Sequence, residues 1–257
     1  MMSDLRFTAV SALVCFLAVH IFYLVWVDPE VAAIISEAEL LGESLPRTFL
    51  VIVKDVEQQI CLSLLLLGLS ICAYRVFELN SDEFLYDVDI LAGIDLDDFN
   101  VRSLNEFVSG LPDNAKHSPL IEIMSAAMRR FLLTRSIESA ANSLEPSLEA
   151  LAIKNEGQLA PIRFIVWAVP SIGFLGTVRG IGLALSQADE AVAGNIAPMT
   201  ESLGVAFNST FVALIISILL TFVLSGIQRQ QDNRLVQIQG YVEETLIKKI
   251  ADDEKTG

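Results

Sequence analysis

An all-α membrane protein, with four spanning helices and helical extensions outside the bilayer, is the fold class this sequence predicts. Three observations carry that expectation. Over 257 residues the chain combines 53% hydrophobic with 19% charged residues, and its mean hydropathy of +0.54 is too high for an ordinary soluble domain. The apolar residues gather into four runs of roughly 20 residues or more, each long enough to cross a hydrocarbon core of about 30 Å. Between the second and third runs lies a charged region whose apolar residues recur at helical spacing.

The first span covers 7–27 and stops at Asp28-Pro29-Glu30. Its length, and the lack of a small-x-small site after it, read against a cleaved signal peptide. The second runs over 58–77 around Leu64 to Leu67, the third over 160–185 and the fourth over 203–227. Four regions follow: an N-terminal two-span hairpin at 1–77 with an outward loop at 28–57, a cytoplasmic helical region at 78–159, a core membrane hairpin at 160–227, and a cytoplasmic helical tail at 228–257. Charge sets the orientation. Segment 28–57 has only Arg47 and Lys54 as basic residues, and loop 186–202 has none beside Asp189, Glu190 and Glu201. Basic residues collect at Arg6, in the central region and in the tail, so the positive-inside rule places both termini and 78–160 in the cytoplasm.

In the central region, Ile121, Met124, Met128, Phe131, Leu132, Ile137, Leu144, Leu148 and Leu151 predict helices broken at Pro146 and ended near Gly157 and Pro161. In the tail, Leu235, Ile238, Val242, Leu246 and Ile250 form an apolar stripe that predicts a packed helical extension of the fourth span. The stretch 78–98 contains Glu78, Asp82, Glu83, Asp87, Asp89, Asp95, Asp97 and Asp98 and reads as a solvated face or docking surface, since it lacks the glycine turns of a calcium loop. A formal charge of -15 without a basic block excludes a nucleic-acid binder. Cys15, Cys61 and Cys72 all fall in apolar runs, remote from ligand spacing to His20 or His117, so neither a metal nor another cofactor is expected. Nor does the chain carry a nucleophile-base pair or a phosphate loop, so no enzyme is expected.

The third and fourth spans differ from simple anchors in their small residues and hydroxyls. Pro170, Gly173, Thr177 and Gly180 share one helix face, and Ala206, Thr210, Ala213 and Ser217 share another. Thr177 lies eight residues inside one outer boundary and Thr210 seven inside the other, so at 1.5 Å per residue both sit about 10–12 Å deep. Small faces permit close helix approach, and the Gly176-x-x-x-Gly180 step predicts a packed neighbour. Two readings remain open for the hydroxyls: a ring lining an ion path, or bonds to backbone within tightly packed helices.

The order of residues favours the first reading. The run Pro170-Ser171-Ile172-Gly173-Phe174-Leu175-Gly176-Thr177-Val178-Arg179-Gly180-Ile181 resembles the P-x-x-G-L-L-G-T-V-x-G-I signature of the MotA/TolQ/ExbB proton-channel family. Gly204-Val205-Ala206-Phe207-Asn208-Ser209-Thr210-Phe211-Val212-Ala213-Leu214 is similar to that family's partner segment, and the likeness covers about residues 145–245. Four spans resemble the MotA arrangement, whereas ExbB and TolQ have three.

The resemblance implies a homopentamer in a bacterial inner membrane, surrounded by lipid and enclosing single helices of an ExbD-, TolR- or MotB-like partner. The partner would bring a membrane Asp, because no Asp or Glu lies within 7–27, 58–77, 160–185 or 203–227. Transported protons or sodium would drive mechanical work, with Thr177 and Thr210 as the family's ion-path threonines. Pro170, Gly173, Ala213 and Ser217 would share that path, and Gly176, Gly180, Ala206 and Asn208 would serve helix packing. A scaffold without ion flow is the alternative. Arg179 stands where the family often has an apolar residue; it is expected to snorkel, to pair with Asp189, Glu190 or Glu201, or to gate the path. His20 reads either as a proton relay or as part of an interfacial belt with Tyr23 and Trp26.

Overall fold

The computed structural model describes residues 2–41, 45–81, 83–87, 90, 101–248 and 250. Every regular element among them is helical: α1 (Met2–Phe22), α2 (Asp28–Leu41), α3 (Phe49–Val53), α4 (Val56–Asn80), α5 (Val101–Gly110), α6 (Asp113–Lys116), α7 (Pro119–Thr134), α8 (Ile137–Ala141), α9 (Leu144–Gln158), α10 (Ala160–Ser186), α11 (Ala188–Val192) and α12 (Ala197–Val242). Four helical stretches are long and apolar enough to cross a membrane: Arg6–Ala38, Val56–Tyr86, Ile137–Ser186 and Ala197–Ile247. The chain is a polytopic, all-α membrane protein. It divides into two compact units, Met1–Ala73 with Ala160–Ser225, and Tyr74–Leu159 with Gly226–Gly257.

In the second unit, Leu104, Leu120, Ile121, Met124, Met128, Ile238, Val242, Leu246 and Ile250 are the buried centre of one apolar cluster. The tail stripe therefore packs as its spacing predicts. Ser118 caps α7, accepting a hydrogen bond from the Leu120 N–H at 3.3 Å, and Pro119 follows where its missing N–H costs nothing. The expected break at Pro146 falls elsewhere. Arg135, left-handed at φ 50° and ψ 36°, ends α7 by donating its N–H to the Phe131 carbonyl, while Pro146 sits inside the first turn of α9, where helices tolerate it. Of the acidic stretch, Asp82, Asp89, Asp95, Asp97 and Asp98 lie outside the described residues; Glu78 pairs with Arg75 at 2.5 Å.

In the first unit, segment 28–57 is largely helical rather than a loop. The helix runs on through Pro29 because a π turn at Tyr23–Val27 precedes it, with the Asp28 N–H bonded to the Tyr23 carbonyl. Shifting the register there accommodates a proline that can neither donate nor lie against the preceding turn. The Tyr23 hydroxyl then donates to the Val53 carbonyl at 2.6 Å, tying the π turn to the end of α3. Loop 186–202 likewise contains α11, and α12 starts at Ala197, six residues before the apolar run.

Helices α10 and α12 form an antiparallel hairpin whose small residues meet each other. A Cβ placed on Gly173 would lie 2.5 Å from the Ala213 Cβ, and one on Gly180 would lie 2.6 Å from the Ala206 backbone nitrogen and 2.8 Å from the Ser202 carbonyl. One on Gly176 would strike Ser209. The close approach that Gly173, Gly176 and Gly180 require is thus supplied within the chain's own hairpin, because the two faces are complementary in steps of three and four residues along antiparallel helices.

Since the obstacle at Gly180 is backbone, which cannot rotate away, Gly180→Ala should cost roughly 1–3 kcal/mol of stability. Gly204, on the same hairpin, has nothing within 4 Å of its Cβ position, so Gly204→Ala should be neutral within about 0.5 kcal/mol. Denaturant unfolding of both variants in mixed micelles checks the difference.

Candidate functional site

The hydroxyls of Thr177 on α10 and Thr210 on α12 are hydrogen-bonded to each other, which sets them at one level of the hairpin. Thr177 Oγ1 is also 3.1 Å from the Ala206 carbonyl and 3.3 Å from the Gly173 carbonyl, and Thr210 Oγ1 is 3.2 Å from the Gly173 carbonyl. Two hydroxyl protons serve this set: one bridges the threonines and the other goes to a carbonyl. Both side chains are only partly buried, so acceptor lone pairs remain accessible on the pair.

The other small residues do different jobs. Gly173 and Ala213 are buried against one another, as are Gly180 and Ala206. Pro170 lies inside α10 and cannot donate to the carbonyl four residues back, that of Val166. The Ser217 hydroxyl donates to that same carbonyl at 3.1 Å. Ser217 on α12 therefore repairs the ladder that Pro170 interrupts on α10, a device membrane helices need because no water reaches the freed group. Asn208, half-buried, makes no hydrogen bond with the described residues of this chain. Its neighbours Ser209 and Ala206 take the face that meets α10, and Asn208 is turned away from it.

Among the described residues, Arg179 pairs with the start of the second span and not with Asp189, Glu190 or Glu201. Its guanidinium is 2.7 Å from Glu57 and 3.6 Å from Asp55, at the start of α4, with side-chain exposures of 43% for the arginine and 14% for each acid. Glu57 also lies against Gly176, its Cγ 3.2 Å from where a Cβ would stand. Sequence reasoning missed this carboxylate because it drew the second span from residue 58. The helix begins at Val56 and takes Glu57 with it, in the first turn where the helix dipole favours an anion. The clue lay in the apolar run Val51-Ile52-Val53 just before it, which carries burial past the boundary.

Next to the ion pair stand Gln58 and Lys54. Gln58 is fully buried; its Nε2 donates to the Ile52 carbonyl at 3.1 Å and to Ser209 Oγ at 3.4 Å, while its Oε1 has no partner. Lys54 binds Glu201 at 2.7 Å. Burial pushes the Asp55 carboxyl above the usual carboxylate range, against the opposing pull of Lys54 and Arg179. His20 bonds Gln59 through Nδ1 at 2.8 Å on an exposed face, apart from the threonines. Among the described residues no group of three or more His, Cys, Asp or Glu is placed to hold a metal ion.

The Ser217 repair is testable. Ser217→Ala should lower stability by about 1 kcal/mol by orphaning the Val166 carbonyl. In a Pro170→Ala background, where a backbone N–H serves that carbonyl, the same change should cost close to nothing. A double-mutant cycle in micelles measures the coupling.

No curated protein and no solved structure matches the chain. The model of the MotA/TolQ/ExbB proton channel family matches residues 115–240, just under half of the chain, and that stretch holds all of α10 and both threonines. The hairpin carrying the Thr177–Thr210 pair is therefore similar to a MotA/TolQ/ExbB proton channel, while α4 with Glu57 and Gln58 lies outside the matched stretch.

Proposed function

We propose that this chain is a member of the MotA/TolQ/ExbB family and the channel-forming subunit of an ion-driven membrane motor. The observation that carries this reading is the paired hydroxyls of Thr177 and Thr210, level with each other in the hairpin that falls in the family match. The chain acts as a pentamer in a bacterial inner membrane, with both termini in the cytoplasm, around a single-span ExbD-, TolR- or MotB-like partner. That partner contributes an Asp in the membrane. Its carboxyl, desolvated and raised in pKa, takes up and releases the ion as it meets access from either side. The partly buried hydroxyls offer it, or the ion, a hydrogen-bonding or coordinating oxygen in an otherwise apolar wall. Each elementary charge moved supplies about 2.3 kcal/mol per 100 mV, which the complex converts into movement. The role is transport and not enzymatic chemistry.

One observation favours the second reading, a membrane scaffold without ion flow: both hydroxyls already find partners within the hairpin. The two readings separate on substitution. Thr177→Val and Thr210→Val keep side-chain shape, so a scaffold loses only about 1 kcal/mol of stability. In a motor subunit the same changes abolish ion flux while assembly persists. Proteoliposomes holding this chain with its single-span partner should take up ions, the chain alone should be silent, and changing the partner's Asp to Asn should stop the flux. Five copies by native mass spectrometry check the assembly. Full flux in both valine variants would leave the threonines as packing alone.

A further inference from the structure

We propose that the cavity between α5 and α7 is a binding site for a small water-soluble phosphate ester, held through its phosphoryl group. The site goes beyond the motor reading and does not depend on it. Residues 101–134 lie outside the four stretches long and apolar enough to cross a membrane, so a ligand reaches this place from water. Two open cavities meet there, of about 350 and 530 Å³, within the range of small-molecule sites. Val108, Lys116, Ser125 and Arg129 line both.

Charge selects an anion. The chain has 32 acidic against 17 basic residues, yet the walls of the two cavities carry Lys116, His117, Arg129 and Arg130 and, among the described acids, Glu122 alone. Cations gathered against the trend of the whole sequence hold an anion through charge-assisted hydrogen bonds. Arg129 Nη2 donates to Asn105 Oδ1 at 3.3 Å, which sets the guanidinium across the gap between α7 and α5. Its remaining N–H groups have no partner among the described residues.

Ser125 supplies the second observation. Its Oγ is buried and makes no hydrogen bond, although a serine inside a helix has the carbonyl four residues back within reach. Thr134 of the same helix uses that bond, to the Arg130 carbonyl at 2.8 Å, and Ser109 of α5 uses it to Asn105. Ser125, one turn before Arg129 and on the same face, does not. Turning its hydroxyl about the Cα–Cβ bond into the cavity therefore breaks no existing bond. Buried polar groups are nearly always satisfied, so this one points to a ligand that brings an acceptor. A phosphoryl group offers three acceptor oxygens and a charge of about −1.5 to −2 at neutral pH. Lys116 and Arg129 meet that charge, Ser125 donates to a further oxygen, and the larger cavity takes the organic part. A carboxylate, with one charge and two coplanar oxygens, would leave donors unused.

The test is equilibrium binding to the full chain in detergent micelles, with inorganic phosphate and adenosine 5′-monophosphate as probes. Wild type should bind both, and each should displace the other. Arg129→Gln should weaken binding by about tenfold or more, since a charged hydrogen bond is lost. Ser125→Ala removes a hydroxyl that holds nothing in the free protein, so it should weaken binding by about three- to tenfold with unfolding unchanged. Arg102→Gln removes an exposed cation of α5 that lines neither cavity, and should leave binding intact. No binding of either probe, equal affinity in wild type and Ser125→Ala, or a loss in Arg102→Gln as large as in Arg129→Gln would each overturn the site. Displacement of phosphate by polyglutamate or by phosphatidylglycerol micelles, but not by adenosine 5′-monophosphate, would overturn it too, making this face a dock for an acidic chain or a lipid headgroup.

Discussion

Everything in the membrane unit depends on how closely α10 and α12 approach. Gly173, Gly176 and Gly180 leave α10 with no side chain where Ala213, Ser209 and Ala206 of α12 press in. In lipid there is little hydrophobic drive to bring two apolar helices together, so contact area between backbones has to do that work. At this separation a threonine hydroxyl on one helix reaches a hydroxyl or carbonyl on the other, and a serine reaches across to a carbonyl that proline has orphaned. With bulkier residues on either face these bonds would be out of range. The polar chemistry of the hairpin is a consequence of its glycines.

The same contact recruits a third helix. Gly176 accommodates both Ser209 and Glu57, so the start of α4 settles against the hairpin at the level of its hydroxyls. Arg179 then meets Glu57 and Asp55 instead of the acids of its own following loop. Partly buried, these charges interact through less water than a surface pair would, which makes their mutual neutralisation more consequential. Each component holds another in place: the glycine admits the acid, the acid holds the arginine, and Gln58 ties the turn to Ser209.

Pro29 and Pro170 show how one residue type is handled twice by different means. Before Pro29 the helix widens into a π turn, whereas at Pro170 the ladder is mended from outside by Ser217. The difference follows from surroundings. Ser217 is available because α12 lies against α10, while at Pro29 the chain absorbs the irregularity in its own backbone.

By itself the sequence determined the four spans, the small faces of the third and fourth, the equal depth of Thr177 and Thr210, and the apolar stripe from Leu235 to Ile250. These follow from hydropathy, period and rise per residue, which are local properties that a string of residues carries in full. Tertiary structure decided what each face meets. Periodicity shows that Gly176 and Gly180 want a close neighbour without saying whose, and the hairpin answered with Ser209 and Ala206 of the same chain. It does not say that Ser217 would serve Val166, a pairing separated by 51 residues. Nor could it place Glu57 beside Gly176, because an acid at the edge of an apolar run is assigned to water until a glycine on another helix makes room for it.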